Sequence, residues 1–138
     1  MTQVILALLF SLTAPLFLLP IEKILPHPHF IEEAVKLLIV LMILRAERKE
    51  KENFTVWVFM AGLLFAVSES IFYLVDIFAL GDFMVFPKRL VLTSGLHVGT
   101  VMLMYFLGRK NYLGLVTGFA GAVLIHYFYN LVVNLNSF

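Results

Sequence analysis

The chain has 138 residues, of which 62% are hydrophobic and 14% charged, with a mean hydropathy of +0.98. A soluble domain is about 45–50% apolar and about 25% charged, and a fold this small could not hide the excess from water. The formal charge of +1 says little about partners, but the absence of cysteine and the lack of a basic face interleaved with aromatics exclude a disulfide framework, a thiolate zinc site and a nucleic-acid binder. Lipid is the solvent this composition fits.

Crossing the ~30 Å hydrocarbon core takes about 20 apolar residues at 1.5 Å each. Five segments qualify as expected spans, at roughly Gln3–Leu19, Phe30–Leu44, Phe54–Leu80, Arg89–Gly108 and Tyr112–Leu135. Residues Met1–Ile21 carry no charged side chain and lack the basic start and small-residue cleavage site of a signal peptide. They are read as a retained first span. Pro20, Pro26 and Pro28 mark the first break. The charge run Arg45–Asn53 marks the second, as a solvated loop or helix end. Gly81-Asp82 with Pro87, and Arg109-Lys110-Asn111, mark the other two. The expected fold is an all-α, polytopic membrane bundle of about five transmembrane helices, forming a single domain over residues 1–138.

Five spans place Arg45, Arg48, Lys49, Lys51, Arg109 and Lys110 on one side and Lys23, Lys88 and Arg89 on the other. Because cytoplasmic loops are enriched in Lys and Arg, the N-terminus is expected in the cytoplasm and the C-terminus outside.

An ionisable group at a helix centre costs roughly 2.5–3.5 kcal/mol on insertion scales, so it faces protein or water and marks a candidate site. The spans contain Glu32, Glu33, Lys36, Glu69, Asp76, His97, His126 and Asn130. From the rise per residue, Glu69, His97 and His126 lie about 16, 12 and 13 Å from the outer ends of their helices. The Pro-rich approach Leu25–His29 could enter the membrane under cover of protein and lower Glu32 and Glu33 to the same level. His27 and His29 are read as interfacial residues. Polar groups from four helices are thus expected on one plane in the outer half of the bilayer.

Residues four apart share a helix face. One ridge runs Gly114, Gly118, Ala122, His126, Asn130 and Asn134, where small residues admit a neighbouring helix and polar ones meet it. Phe65, Glu69 and Tyr73 form a second face, and Arg89, Thr93 and His97 a third. Glu32 and Lys36 can pair, four residues apart. Asp76 is placed near the outer end of its span, with a structural role or none.

The ordered set Glu32-Glu33-Ala-Val-Lys36, Phe65-Ala-Val-Ser-Glu69 with Tyr73, Arg89 with His97, and His126-Tyr-Phe-Tyr-Asn130 resembles the PrsW family of intramembrane proteases, relatives of the CAAX-processing endopeptidases and bacterial CPBP proteins. The CAAX-processing branch carries Glu-Glu-x-x-x-Arg, and a histidine at the position of Glu69. Here position 37 is leucine and the basic residue is Lys36, which points to the PrsW side.

The resemblance implies hydrolysis of a peptide bond in a membrane-anchored protein. Glu32 would be the base that activates water, with Glu33 close behind. His97 would hold the water or shuttle the proton. His126 and Asn130 would stabilise the oxyanion, and Glu69 would orient a histidine or complete the polar cage. No resident cofactor is expected. The alternative is zinc on His97, His126 and Glu69, although no short His-Glu-x-x-His spacing supports it. The implied partner is a single-span membrane substrate, anti-sigma-factor-like by analogy. A homodimer through the exposed Gly114–Gly118 ridge is also expected. The rival functions are a non-catalytic membrane scaffold or immunity-type protein of the same superfamily, and a small transporter using the same carboxylates and histidines. A transporter should show internal pseudo-symmetry, which the sequence lacks.

Overall fold

The computed structural model describes residues 1–22, 24–80 and 85–135, the side chains of 22, 73, 75–80, 85, 134 and 135 aside. Five helices follow one another: α1 (Thr2–Glu22), α2 (Pro28–Glu50), α3 (Thr55–Leu80), α4 (Val85–Lys110) and α5 (Tyr112–Leu135). No strand occurs among the described residues. The Gly81-Asp82 break and the side chains of Lys23, Tyr73, Asp76 and Asn134 lie outside them.

Local chemistry sets the helix ends. Pro28 opens α2 in its first turn, where a missing N–H costs nothing. Lys51 closes α2 in the left-handed conformation (φ 56°) and donates its N–H to the Glu47 carbonyl at 2.8 Å. The Asn53 side-chain oxygen accepts from the Thr55 N–H at 2.9 Å and caps α3. Asn111 does the same for α5, accepting from the Gly114 N–H at 2.7 Å.

Two proline expectations are corrected. Pro20 does not end α1, which runs through Pro15 and Pro20 to Glu22; membrane helices re-satisfy the freed carbonyls locally. Pro87 does not lie in a break either. It sits in the first turn of α4, where no intrahelical N–H is required. The charge run after Leu44 continues α2 to Glu50 and is a helix end rather than a loop.

Among the described residues, four segments are long and apolar enough to cross a membrane: Thr2–Ile21, Thr55–Phe72, Phe86–Lys110 and Tyr112–Val133. With the charges of α2 excepted, the chain is therefore an integral membrane helical bundle. The fifth expected span, in α2, falls short by this measure, because Glu32, Glu33 and Lys36 interrupt an apolar stretch that already ends at Leu44. The packing explains how α2 carries them. Helices α1, α3, α4 and α5 pack in that order as a curved row, and α2 lies against all four; α1 and α5 do not touch among the described residues. Helix α2 is antiparallel to α1 and of similar length, so that the amino group of Met1 meets Glu50. Its core-facing residues Ile39, Val40 and Ile43 pack with Val4, Val58 and Met104. Its neighbours, not its own composition, keep Glu32, Glu33 and Lys36 of α2 out of lipid.

The helices alternate in direction. At one end, Glu47 of α2 binds Arg109 of α4 at 2.9 Å. At the other, the start of α2, the start of α4 and the end of α5 surround a polar cavity. Two glycines let the helices approach closely enough to share a site. A Cβ on Gly62 of α3 would lie 2.8 Å from the Val98 Cα of α4, and one on Gly118 of α5 would lie 3.0 Å from the Met104 Cα. Gly114 likewise faces the Leu107 carbonyl. The Gly114–Gly118 ridge is thus filled by α4 of the same chain, and the dimer expected through it loses that surface.

Candidate active site

Each helix from α2 to α5 contributes to one buried polar cluster. Helix α2 supplies Glu32 and Glu33, both buried. Their neighbouring positions turn them about 100° apart on the helix, and they meet different partners. Glu33 is fully buried and binds two cations or hydrogen-bond donors through one oxygen: Lys36 Nζ lies 2.6 Å and His126 Nδ1 2.7 Å from Glu33 Oε1. Lys36 is itself fully buried and stands 4.9 Å over the Phe65 ring. The expected Glu32–Lys36 pair is therefore replaced by a Glu33–Lys36 pair. At a spacing of three residues, Glu33 reaches the ammonium, while Glu32 faces the cavity.

Glu69 of α3 and His97 of α4 are in direct contact through Oε2 and Nε2. The close α3–α4 approach at Gly62 holds these two helices at that separation. Phe65, one turn before Glu69, lies 5.0 Å from the His97 ring. His97 is fully buried. The His126 ring stands at 89° to it, 5.7 Å away, and His126 Nε2 comes within 3.6 Å of Glu32 Oε2. Because Glu33 occupies His126 Nδ1, a neutral His126 donating to Glu33 presents a bare Nε2 toward Glu32.

The cluster forms the floor of a cavity of about 360 Å³, lined by Glu32, Glu69, Arg89, His97, His126 and Asn130 among others. Glu33 does not line it. Arg89, Thr93 and His97 all reach the cavity from one face of α4, as their spacing implies, and Thr93 lies 3.3 Å from the Tyr129 hydroxyl. Asn130 reaches the wall but, among the described residues, makes no hydrogen bond to the carboxylates or histidines.

Glu32 lies only four residues from Pro28, whereas Glu69 and His97 lie 11 and 12 residues from the helix ends at Leu80 and Val85. Since the three meet, the start of α2 is recessed below those ends.

His29 is the residue that sequence reasoning misplaced. It is 9% exposed rather than interfacial, and its ring centroid lies 6.0 Å from that of His126. The missed signal is Pro28, which starts the helix two residues before the expected span and turns His29 inward, one residue after it. Lys36, Thr93 and Tyr129 also belong to the surroundings of the site.

One ligand atom each from Glu32, Glu69 and His97 lies within 4.8 Å of the other two. Zinc bonds of about 2.0–2.2 Å place two ligands on one ion up to about 4.4 Å apart, so small rotations of these side chains close the set. Two carboxylates and one imidazole are a donor set that zinc accepts, and the residues fit a divalent metal. The trio differs from the expected His97, His126 and Glu69, with Glu32 in place of His126. His126 is drawn aside by Glu33.

The family model for PrsW family intramembrane metalloproteases matches residues 28–138. The chain belongs to this family. No curated protein and no solved structure matches it. The match begins at Pro28, the first residue of α2, and so includes all four helices that carry the cluster and leaves out α1. As a PrsW family member the chain is an intramembrane peptidase.

Proposed function

We propose that the chain hydrolyses a peptide bond of a membrane-anchored substrate at the Glu32–Glu69–His97 cluster, on the side of the membrane opposite the Arg-rich helix ends. The observation that carries this reading is the convergence of those three side chains, from three helices, on the floor of a polar cavity inside a membrane bundle. Buried ionisable groups are expensive in a bilayer unless they do something, and here they share one cavity.

Glu32 is the carboxylate placed to take a proton from water, because it reaches the cavity and Glu33 does not. As the water oxygen attacks the scissile carbonyl carbon, the proton passes to Glu32. It later goes to the departing amine as the C–N bond breaks. Glu69 holds the His97 ring at the cavity, and Asn130 at the wall is placed to donate to the oxyanion. Glu33 acts as a positioning residue: it accepts from His126 Nδ1–H and so turns the bare Nε2 toward Glu32, where Nε2 accepts from that carboxyl once it has taken the proton from water. A divalent metal bound by Glu32, Glu69 and His97 would supply Lewis-acid polarisation of the carbonyl and of the attacking water.

With more Lys and Arg on the face that holds Arg45, Arg48 and Arg109, the positive-inside rule assigns that face to the cytoplasm and the cavity to the outer half of the bilayer. The substrate is then a single-span protein cut near its outer end.

The test is cleavage of a library of fluorogenic single-span proteins in proteoliposomes by the full chain and by its Glu32→Gln, Glu69→Gln, His97→Ala and His126→Ala variants. Loss of general-base function should lower kcat about 10²–10⁴-fold in Glu32→Gln. If the wild type cuts no member of the library, or Glu32→Gln cuts as fast as the wild type, the scaffold reading replaces this one.

A further inference from the structure

The curved row of helices has an open edge. Because α1 and α5 do not touch among the described residues, the start of α2 faces lipid between them. There α2 and α5 enclose a second hollow of about 560 Å³, walled by apolar side chains that include Leu25, Phe30, Val123 and Leu124. Phe30 is 52% and Leu124 57% exposed. The hollow is not separate from the polar cavity. Pro26, His27, His29 and Tyr127 line both.

The partition between the two is a short series of rings. Tyr127 lies 5.7 Å from His29, and His29 lies 6.0 Å from His126. His126 is the ring whose Nε2 faces Glu32 at 3.6 Å. Two ring contacts thus lead from a lipid-facing apolar groove to the carboxylate placed to activate water. Val91 and Leu92 of α4 are as exposed but line neither hollow.

We propose that the groove between the start of α2 and the end half of α5 is the lateral entrance of the substrate, where an apolar membrane segment of the protein to be cut docks and passes its backbone beside His29 and Tyr127 to Glu32. This rests on the protease reading above and adds the route. The groove suits such an occupant and no soluble one. Its wall is apolar and lies in the lipid-facing surface, and its inner edge turns polar where a peptide bond would have to leave lipid. Backbone groups in hydrocarbon must be satisfied. A segment unwound at His29 and Tyr127 would find polar partners only on the cavity side.

The experiment places a photo-crosslinking amino acid at Phe30, Leu124, Val91 or Leu92 in the full-length Glu32→Gln chain in lipid nanodiscs. The probe is a labelled synthetic span of alternating Leu and Ala with Lys flanks. Crosslinks concentrated at Phe30 and Leu124 are expected. Equal labelling at all four positions would overturn the proposal, since exposure alone would then explain it.

In the catalytically intact chain, Leu124→Trp, which narrows the groove, should lower kcat/KM for a cleaved single-span substrate about tenfold through KM. Leu92→Trp should leave it unchanged. Equal losses from the two tryptophans would also overturn the proposal. A wild type that cuts nothing would defeat the protease reading, while the crosslinking pattern would still judge the groove.

Discussion

The Glu33–Lys36 pair offers the sharpest test of how the cluster is held. Both side chains are fully buried, with Lys36 Nζ 2.6 Å from Glu33 Oε1. Replacing Glu33 with Gln keeps the shape of the side chain and removes its charge, so the Lys36 ammonium is left in the bundle without its counter-charge. Removing one partner of a buried pair costs about 3–5 kcal/mol, because the remaining charge keeps its desolvation penalty. A large part of the stability of a small domain, about 5–15 kcal/mol, is then lost. The companion substitution Lys36→Met removes the stranded charge and fills the space beside Phe65 with an unbranched apolar chain.

The double variant Glu33→Gln/Lys36→Met should therefore be more stable than Glu33→Gln alone, with a coupling of about 0.5–3 kcal/mol. Activity should not return with stability. His126 Nδ1, 2.7 Å from Glu33 Oε1, would still face an amide in place of a carboxylate. The assay is reversible unfolding of the chain in mixed micelles, run beside the cleavage assay on the same four proteins. A Glu33→Gln chain destabilised by less than about 1 kcal/mol, or a double variant no more stable than the single one, would refute the reasoning. Either result would mean that Lys36 is not held as a buried cation by Glu33.

Four further outcomes are expected. Gly62→Val should force α3 and α4 apart, since even a Cβ there would come 2.8 Å from the Val98 Cα; the overpacking should cost about 1–3 kcal/mol and lower cleavage, read by unfolding and by rate. Arg109→Gln, which removes a half-exposed partner of Glu47, should cost less than about 1 kcal/mol and leave cleavage unchanged, as it lies at the opposite end from the cavity. If Glu32, Glu69 and His97 hold a metal, elemental analysis of the purified chain should find it. Dialysis against a chelator should then remove both metal and activity, and His97→Ala should carry less metal than the wild type. Asn130→Ala should slow cleavage less than Glu32→Gln does, because Asn130 reaches the cavity wall without joining the hydrogen-bonded group.

Much of the site was legible because lipid makes polar residues conspicuous. In a chain that is 62% hydrophobic, Glu32, Glu33, Glu69, His97 and His126 stand out wherever they fall. Their order on successive apolar helices sufficed for the family resemblance, and the match over residues 28–138 bears it out. Helical spacing also placed Arg89, Thr93 and His97 on one face, and all three line the cavity. Composition and periodicity alone determined that the chain is an all-helical membrane bundle.

Pairing was decided only in three dimensions. Residue spacing allowed Lys36 to meet Glu32, yet the packing of α2 against α5 brings His126 to Glu33 and gives Lys36 the same partner. Sequence could not tell that the Gly114–Gly118 ridge meets α4 rather than another chain, since a small-residue ridge specifies close approach and not its partner. Nor could it place His29, whose inward turn depends on where Pro28 starts the helix. The charged α2 is the plainest case: by composition it is a poor span, and only the row of α1, α3, α4 and α5 around it supplies the cover that its carboxylates and ammonium require. Sequence sets which groups must avoid lipid, and tertiary packing sets which of them meet.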